Sequence, residues 1–429
     1  MRILFIHQNF PGQFRHIAPS LVREGHEVVA MGMIKRAPSS WKGVRLVLYD
    51  TKRGSTPAIH AWVTDIETKV IRGEACFHAA RQLRVEGFSP DVVIAHSGWG
   101  ETLFIKEVWP QARLGVYSEF FYHADGADVG FDPEFLVRDA ALNACRLRMK
   151  NVNNLLHFDI ADAAISPTHW QALSYPEPFR SKITVCHDGI DTDAVRPDPN
   201  AVFQYNDLQF TRSDEVVTFV NRNLEPYRGY HIFMRALPRL LERRPEAHVV
   251  IVGGDGTSYG AKPPAGTTWK QLFADEVRKQ IPLKDWEERV HFTGKLPYDT
   301  FLALLQVASV HVYLTYPFVL SWSLLEAMSC GCAIVASDTA PVREAIRDGV
   351  NGLLVDFFDQ QALLTAITVL LENPDERGRL GMHARRDMVQ RYDLHTVCLP
   401  AQREWIKSLE VLHCYGQSKK LYIPQKQET

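Results

Sequence analysis

Short apolar segments alternate with helical segments along most of this chain, and the alternation limits its fold more than any other feature. Residues 2–7 form a β-rich apolar run, residues 14–24 are amphipathic, and residues 25–31 return as a second apolar run. A strand, a helix and a second strand in this order indicate a βαβ unit. Further apolar runs at 91–95 and 114–117 repeat the pattern. Strands that are apolar on both faces are typical of a parallel sheet covered by helices on each side.

A second series of the same kind follows the proline-rich segment at 197–199. It includes apolar runs at 216–220, 248–252 and 310–314. We therefore predict an α/β protein with two doubly wound sheets in tandem. The predicted domains are 1–195, 196–395, and a C-terminal helix with a polar tail at 396–429.

The composition excludes several classes of protein. Of the 429 residues, 48 are Lys or Arg and 50 are Asp or Glu, so the net charge of −2 gives no global reason to bind nucleic acid. The seven cysteines form no CxxC pair, which argues against a disulfide framework and a zinc ribbon and fits a reducing cytosol. Residues 301–325 lack Asp, Glu, Lys and Arg, but Gln306, His311 and Pro317 interrupt them. We predict a strand and a helix there rather than a membrane span.

Three loops in the first half of the chain follow strands, where ligands of open parallel sheets bind. Gly12 precedes a helix, so backbone and helix N-terminus can approach an anion there, and an ordinary turn is the alternative. His96 ends another strand and can contact a sugar hydroxyl, act as acid or base, or merely bond a backbone carbonyl. In 119–128, aromatic rings with His123 and Asp125 suit a carbohydrate, and the alternative is a surface loop over core aromatics.

Three further strand-end segments lie in the second half. Arg222 and Arg228 flank a turn ahead of a helix, so guanidinium and helix N–H groups can hold a diphosphate, unless both arginines are merely solvated. Gly254 lies in a glycine-rich turn at a strand end. Glu326 falls near the start of a mostly apolar helix, where a lone acid needs partners such as ribose hydroxyls, or serves as a capping carboxylate.

Over nearly its whole length the chain resembles the family-4 retaining glycosyltransferases of the GT-B fold. The most specific match is Ser-Leu-Leu-Glu-Ala-Met-Ser-Cys-Gly-Cys at 323–332, followed by Pro-Val-Arg-Glu at 341–344 and Asp-Gly-Val-Asn-Gly at 348–352. Arg222 and the pair Arg228-Gly229 match the family's Arg and Lys-Gly, with Arg in place of Lys. Weaker matches are 187–191, 254–256 and His96.

The resemblance implies two Rossmann-like domains that face each other across a cleft, with the C-terminal helix crossing back to the N-terminal domain. The first domain would bind the acceptor and the second the donor. Arg222 and Arg228 would then hold the donor diphosphate and Glu326 the ribose, while His96 would lie in the active site. The remaining predicted contacts are Gly12 and Gly254 for the donor, and His123 and Asp125 for the acceptor.

One position departs from the family pattern. The family usually carries two glutamates eight residues apart, and Phe318 stands at the earlier position here. The missing acid normally lies beside the donor sugar. We therefore predict that the backbone N–H groups of residues 319–323, including Val319, Leu320 and Ser321, take over the sugar contacts; otherwise the sugar differs or the enzyme is inactive.

The resulting hypothesis is a hexosyltransferase that moves a sugar from a nucleoside diphosphate to a hydroxyl of a glycan, lipid-linked or polysaccharide-precursor acceptor, with retention. The arginines would stabilise the leaving diphosphate, so no metal and no other cofactor is predicted. Asp191-Thr192-Asp193 is interpreted as a structural turn. The alternatives are a nucleotide-sugar epimerase or hydrolase of the same architecture, and a non-catalytic subunit that binds a sugar nucleotide, which Phe318 favours.

The predicted location is cytoplasmic, without a nucleic-acid partner. A short basic patch contains Arg146, Arg148 and Lys150 with Leu147 and Met149. Two interpretations of this patch stay open: peripheral contact with the inner face of a membrane, and a solvated helix face. The donor base, the sugar and the acceptor depend on loops, which fold analogy does not specify.

Overall fold

The computed structural model describes residues 1–33, 38–136 and 138–416, with side chains described as far as residue 410. The predicted polar tail from 417 onward lies outside the described residues. The chain divides into two compact units. Unit 1 contains Met1–Tyr122, Ala141–Asp188 and the chain from Cys398 onward, and unit 2 contains His123–Ala140 and Gly189–Val397.

Unit 1 is built on an eight-stranded sheet. Its strands are β1 (Arg2–Ile6), β2 (Glu27–Gly32), β3 (Ser40–Trp41), β4 (Val44–Leu48), β5 (Val92–His96), β6 (Arg113–Tyr117), β7 (Ala163–Ser166) and β8 (Ile183–Val185). The strand order is β3-β4-β2-β1-β5-β6-β7-β8, and β3 alone among these pairs with its neighbour in antiparallel fashion. Ile3, Leu4 and Phe5 of β1 are all fully buried. Because successive side chains point to opposite faces, both faces of the sheet are covered, as the apolar run predicts.

Helices connect these strands and pack on the sheet. They are α1 (Ile17–Arg23), α2 (Thr64–Val85), α3 (Ile105–Val108), α4 (Ala140–Ile160), α5 (His169–Leu173) and α6 (Glu177–Arg180). Cys76, Ala80 and Leu83 of α2 lie in one apolar cluster with Leu4 and Val29 of the central strands. Their spacing of three and four residues places them on one face of the helix, which explains the burial.

Unit 2 contains a two-stranded hairpin and a six-stranded parallel sheet. The strands are β9 (Val202–Tyr205), β10 (Leu208–Thr211), β11 (Val216–Asn223), β12 (His248–Gly254), β13 (Val290–Gly294), β14 (Val310–Tyr313), β15 (Ala333–Ser337) and β16 (Leu353–Val355). Strands β9 and β10 form the hairpin, and the sheet order is β13-β12-β11-β14-β15-β16. The carboxyl ends of β11, β12 and β14 therefore lie at one edge, where the loops of the predicted donor site begin.

The helices of unit 2 cover this sheet. They are α7 (Tyr230–Arg243), α8 (Trp269–Arg278), α9 (Leu283–Arg289), α10 (Tyr298–Val307), α11 (Trp322–Ser329), α12 (Ala340–Arg343), α13 (Gln360–Glu372) and α14 (Pro374–Arg391). Phe233 of α7 stacks on Phe219 of β11 with ring centroids 4.6 Å apart, which fixes α7 on the sheet. The uncharged stretch 301–325 is divided between α10, β14 and α11. None of the helices described combines the length and apolarity that crossing a bilayer requires.

The last helix, α15 (Leu399–Gly416), belongs to unit 1, so the chain crosses back as predicted. A Cβ built on Gly115 of β6 would lie 2.7 Å from the ring of Trp405 and 2.9 Å from Leu409. Only glycine at 115 lets α15 lie this close to the sheet. Arg403 of α15 also forms an ion pair of 2.9 Å with Glu24.

The units differ from the predicted domains in one important respect. The breaks at 188/189 and 397/398 lie seven and two residues from the predicted boundaries at 195/196 and 395/396, and residues His123–Ala140 belong to unit 2. An excursion of this kind leaves no signal in hydrophobic periodicity, because its anchors lie far away in the sequence.

Candidate active site

Arg228 is held at the carboxyl edge of the sheet of unit 2. The chain leaves β11, makes one turn of 3-10 helix at Pro226–Arg228, and enters α7 through Gly229. Arg228 is 6% exposed, and its Nη1 donates to Thr315 Oγ1 at 2.8 Å and to the carbonyl oxygen of Val319 at 3.0 Å. The guanidinium plane is therefore fixed by groups that follow β14.

The rest of the guanidinium remains available to a ligand. Within the described chain, every hydrogen bond of the Arg228 side chain uses Nη1, and the ring of Tyr259 lies 5.3 Å from the guanidinium carbon. Nε and Nη2 are the pair of donors that binds a phosphate in bidentate fashion. Arg222, at the end of β11, is exposed and forms no hydrogen bond to the described residues. Both arginines can thus face an anion, and their predicted contact with the donor diphosphate stays a prediction.

Glu225, between the two arginines, was not identified from the sequence. Its carboxylate is 1% exposed and accepts hydrogen bonds of 3.0 Å from the backbone N–H groups of Ser258 and Tyr259. Burial raises the pKa of Glu225, while those N–H groups and the two arginines oppose the shift. Glu225 therefore ties the loop after β12 to the arginine loop. In the sequence, the feature that could have identified Glu225 is a single acidic residue between two arginines.

Gly254 lies at the end of β12, close to this loop. A Cβ at this position would lie 2.7 Å from Asn223 Oδ1 and 2.8 Å from Lys295 Cε. The predicted donor contact of Gly254 is not tested by this geometry. A larger side chain at 254 would displace the ends of the Asn223 and Lys295 side chains, where β11 and β12 end side by side.

Phe318 occupies the position where the family has its first glutamate. It is buried, and its ring centroid lies 5.0 Å from that of Tyr259 and 5.7 Å from that of Tyr227. Tyr227 in turn packs on Tyr316 at 4.7 Å. An aromatic cluster thus fills the space at the missing carboxylate, and Phe318 belongs to the packing of both donor loops.

The backbone after Phe318 corrects part of the sequence prediction. We predicted that N–H groups of residues 319–323 contact the donor sugar, but the N–H of Ser321 donates to Tyr313 Oη at 2.9 Å and that of Ser323 to Ser321 Oγ at 3.3 Å. Those two donors are used inside the fold, since Ser321 caps α11. The N–H groups of Val319 and Leu320 form no hydrogen bond among the described residues and stay candidates for the donor.

Glu326 lies in α11, which begins at Trp322. The carboxylate is half-buried and accepts a hydrogen bond of 2.8 Å from the hydroxyl of Tyr298, at the start of α10. Tyr298 supplies a partner that the sequence did not identify. The predicted contact of Glu326 with the donor ribose stays a prediction.

His96 is the centre of a buried aromatic group in unit 1. It is 2% exposed and stacks on Tyr117 at 5.3 Å and on Trp99 at 5.9 Å. Burial lowers the pKa of His96 well below its usual range, and Nδ1 accepts the N–H of Gly98 at 3.1 Å. The proton of the neutral ring therefore sits on Nε2, 3.8 Å from a carboxylate oxygen of Glu119. His96 is suited to donate a hydrogen bond and not to act as a general acid.

The loop at Gly12 differs from its predicted form. We predicted a helix N-terminus directly after Gly12, but α1 begins at Ile17 and Gly12 opens only a short 3-10 turn. A Cβ on Gly12 would lie 2.6 Å from the ring of His7, and φ is +46°. Glycine is required here because His7 packs against the turn, with Nε2 donating to Gln13 Oε1 at 2.9 Å.

The predicted acceptor residues are not grouped with His96. His123 and Asp125 are exposed and belong to the segment that the chain contributes to unit 2. Their assignment to the first domain is therefore corrected. Glu119, from the same predicted loop, is the carboxylate beside His96.

The Asp-x-Asp sequence at 191–193 forms a turn in unit 2. Asp191 Oδ1 accepts the N–H of Ala194 at 3.1 Å, and the buried Thr192 hydroxyl donates to Asp393 at 2.5 Å. Over the described parts of the chain, no group of three His, Cys, Asp or Glu side chains is arranged to hold a metal ion. Metal independence itself remains a prediction.

Stability should depend on pH through the buried histidines, of which His157 is a clear case. Burial lowers the pKa of His157 to about 4. Its Nδ1 donates a hydrogen bond of 2.7 Å to the carbonyl of Asn153, and its Nε2 accepts one of 2.8 Å from the hydroxyl of Thr102. Because the pKa of this histidine in the unfolded chain is near 6.5, its contribution to the free energy of unfolding is complete above pH 6.5 and is lost as the pH falls towards 4.

We expect the protein to lose about 2 kcal/mol of stability through His157 between pH 7 and pH 5. Urea unfolding of wild type and His157→Gln at both pH values measures it. An unchanged pH dependence in the variant would contradict the assignment.

Two family models match this chain. The model described as Glycosyl transferase family 4 group matches residues 24–195, and the model described as Glycosyl transferases group 1 matches residues 204–387. The chain belongs to the family 4 group of glycosyltransferases. Together the matches cover most of both units, so the family assignment of this glycosyltransferase does not rest on one motif.

Relatives of this family-4 glycosyltransferase include enzymes named for inositol-containing substrates. The D-inositol 3-phosphate glycosyltransferase of Thermobispora bispora is 26% identical over 242 residues, which cover 53% of this chain and 52% of the relative. The GDP-mannose-dependent alpha-(1-6)-phosphatidylinositol monomannoside mannosyltransferase of Mycolicibacterium smegmatis is 28% identical over 204 residues, covering 46% and 49%. The chain thus spans about half the length of the curated relatives it matches.

A solved structure shares the fold along nearly the whole chain. HepE of Anabaena, in complex with UDP and glucose, superimposes with a TM-score of 0.65 at 17% identity, over 95% of this chain and 100% of HepE. This likeness concerns the fold alone. It confirms the predicted GT-B fold of this chain, with two Rossmann-like domains.

Proposed function

We propose that this glycosyltransferase transfers a sugar from a nucleoside diphosphate to a hydroxyl of an acceptor. The observation that carries the proposal is the state of Arg228, whose Nη1 is pinned by Thr315 and Val319 while Nε and Nη2 are left for a ligand. A guanidinium with one fixed edge and one available edge, at the carboxyl end of a parallel strand, suits a diphosphate.

The two arginines would act on the leaving group. Breaking the bond to the sugar leaves negative charge on the diphosphate and positive charge on the sugar ring. Arg228, fixed before the reaction, and Arg222 would neutralise the diphosphate charge without reorganising, and one preorganised donor contributes about 3 kcal/mol in sites of this type. The family resemblance adds retention and independence of metal ions as predictions.

His96 would orient a substrate hydroxyl in this proposal. Its ring is neutral and its one N–H proton is on Nε2. His96 would therefore donate a hydrogen bond to the substrate without transferring a proton. In a retaining transfer of the kind the resemblance implies, the donor phosphate accepts the acceptor proton, and no side-chain base is needed.

The relatives suggest the substrate class. One is named for D-inositol 3-phosphate and another for GDP-mannose and a phosphatidylinositol mannoside, whereas HepE holds UDP and glucose. We therefore propose a polyol, glycan or lipid-linked acceptor for this chain, and a donor base that is uridine, guanosine or adenosine.

Isothermal titration of UDP, GDP and ADP, with their sugars, tests the proposal on the wild type and on Arg222→Ala. We expect one diphosphate to bind, with affinity about tenfold weaker in the variant because one of two phosphate-facing cations is gone. Folded wild-type protein that binds none of them would sink the transferase proposal.

Turnover separates transfer from the two competing functions. Hydrolysis or epimerisation of the bound sugar nucleotide without an acceptor would favour the epimerase or hydrolase. Binding without turnover across acceptors would favour the non-catalytic subunit, which the burial of Phe318 at the glutamate position supports.

Peripheral contact with a membrane is a separate proposal, supported by helix α4. Leu142, Leu155 and Leu156 of this helix are exposed, as are Arg146 and Arg148. The predicted patch is otherwise corrected, because its Leu147 is buried and its Lys150 stacks over the ring of Tyr122 at 3.6 Å.

Sedimentation with vesicles tests this membrane proposal. We expect the protein to bind phosphatidylglycerol vesicles better than phosphatidylcholine vesicles. The double variant Arg146→Glu/Arg148→Glu should lose at least about thirtyfold in binding, since each basic residue contributes about 1 kcal/mol at an anionic surface. Equal sedimentation of the wild type and the variant would contradict the membrane proposal and favour the alternative that this face of α4 is solvated.

A further inference from the structure

A segment whose sequence lies between two parts of unit 1 forms hydrogen bonds with two tyrosines of unit 2. The chain leaves unit 1 after Tyr122, contributes residues His123–Ala140 to unit 2 and returns at Ala141. We call His123–Ala140 the strap. Among the described residues of the strap before α4, the regular structure is one 3-10 turn at Pro133–Phe135, so the position of the strap depends on side-chain contacts.

Two phenylalanine rings fix the strap on the core of unit 2. Phe131 packs on Tyr316 with centroids 5.2 Å apart, and Phe135 packs edge-on against Trp269 at 5.4 Å and His231 at 5.3 Å. Contacts with this spacing stabilise beyond the area they bury. The strap is therefore part of the packed core and not a loose connection.

Two buried carboxylates connect the strap to the donor loops. Asp132 is 3% exposed, and its Oδ2 accepts the Tyr316 hydroxyl at 2.6 Å and lies 3.0 Å from Nε2 of His231. Asp128, equally buried, accepts the hydroxyl of Tyr227. A buried carboxylate is costly unless hydrogen bonds compensate it, so these contacts strongly constrain where each tyrosine can lie.

Both tyrosines are neighbours of groups that hold Arg228. Tyr227 directly precedes Arg228, and Tyr316 directly follows Thr315, which accepts a hydrogen bond from Arg228 Nη1. The N–H of Tyr316 donates to the carbonyl of Tyr227 at 3.0 Å, which joins the two loops. If Tyr227 moved, Arg228 would move with it, because the two residues are adjacent in the chain. If Tyr316 moved, it would shift Thr315 and with it the hydrogen bond that holds Arg228.

We propose that Asp128 and Asp132 of the strap are positioning residues for the diphosphate site, holding Tyr227 and Tyr316 so that Arg228 presents Nε and Nη2 to the donor. The inference rests on the proposed function. It adds that the donor site of unit 2 includes a segment whose sequence lies between β6 and α4 of unit 1.

The test removes single hydroxyl groups and leaves the rings packed. Tyr316→Phe and Tyr227→Phe in the full chain should each raise the dissociation constant of the preferred nucleoside diphosphate about tenfold. Each should also lower the unfolding temperature by a few degrees, because a buried carboxylate loses one hydrogen bond. The matched control is Glu134→Gln, also in the strap. Glu134 pairs with Arg235 at 2.6 Å, and Arg235 keeps its pair with Glu276 at 2.6 Å, so affinity should stay within twofold.

A double-mutant cycle distinguishes positioning from general loosening of the fold. In an Arg228→Met background, Tyr316→Phe should weaken binding no further, because the group that it positions is absent. A merely structural role would give the same loss in both backgrounds, and that additivity would overturn the inference.

The failure of the inference and the failure of the proposed function give different results. Wild-type affinity in both tyrosine variants, with binding weakened in Arg228→Met, would overturn the strap's role and leave the diphosphate site standing. Undiminished binding in Arg228→Met, or no binding of UDP, GDP or ADP by the wild type, would overturn both.

Discussion

Replacing Arg228 by methionine should lower kcat/KM for the sugar nucleotide by about 10²–10³, the loss seen when one preorganised donor to a developing anion is removed. Methionine has no charge and a long unbranched side chain, so it can fill the space that the Arg228 side chain occupies beside Tyr259 and Thr315. The substitution removes a guanidinium whose Nη1 is held by Thr315 and whose Nε and Nη2 can contact the diphosphate. Initial rates of nucleotide release, with the donor identified by titration, measure the change.

Arg228→Lys gives a graded comparison. A single ammonium can replace either the bonds to Thr315 and Val319 or the contact with the diphosphate, but it lacks the fork that does both. We expect a loss of about tenfold, between wild type and Arg228→Met. Since the family has Lys at this position, a lysine variant as active as wild type would mean that the internal hydrogen bonds of Arg228 are not needed.

Arg239→Met is the matched control for charge. Arg239 lies on α7, is exposed and bonds Gln361 Oε1 at 2.7 Å, away from the arginine loop. Activity should stay within twofold. Equal losses in Arg228→Met and Arg239→Met would show that net charge, and not the geometry at Arg228, controls the rate.

The sequence predicts the fold well because the relevant signals are local. Apolar runs of four to eight residues, separated by amphipathic segments, specify strands buried on both faces without reference to distant residues. The arginine pair is predicted for the same reason, since Arg222, Arg228 and Gly229 follow one strand within a few positions.

The rest of the site depends on contacts between residues that are far apart in the chain. Tyr316 and Asp132 are separated by 184 positions, and no periodicity connects them. The predicted roles of Ser321 and Ser323 were wrong in part because the hydroxyl of Tyr313 takes the N–H of Ser321.

Burial also changes chemistry that the residue type alone suggests. At the strand end, His96 fits both an acid–base role and a hydrogen-bonding role. The choice depends on Tyr117 and Trp99, whose rings enclose the imidazole and keep it neutral. Neither ring is recognisable from the sequence as a partner of His96.

Gly229 links the folding of unit 2 to the position of Arg228, and Gly229→Ala should cost about 3–4 kcal/mol in the free energy of unfolding. Its φ is +68°, which costs an L side chain about 1–2 kcal/mol. The new Cβ would also lie 2.3 Å from Cβ of Leu314, a buried residue between β14 and Thr315. Relieving that overlap requires backbone movement, which adds about 1–3 kcal/mol.

Gly294→Ala separates these two contributions. Gly294, at the end of β13, has the same φ of +68°, but a Cβ there meets nothing within 4 Å. Its cost should be the backbone term alone, so Gly229→Ala must be less stable than Gly294→Ala by about 2 kcal/mol in urea unfolding. Because Leu314 and Thr315 are adjacent, the movement at Gly229 should also displace Arg228 and weaken diphosphate binding about tenfold. Equal stability of the two variants would mean that β14 accommodates the methyl group, and diphosphate affinity should then be retained as well.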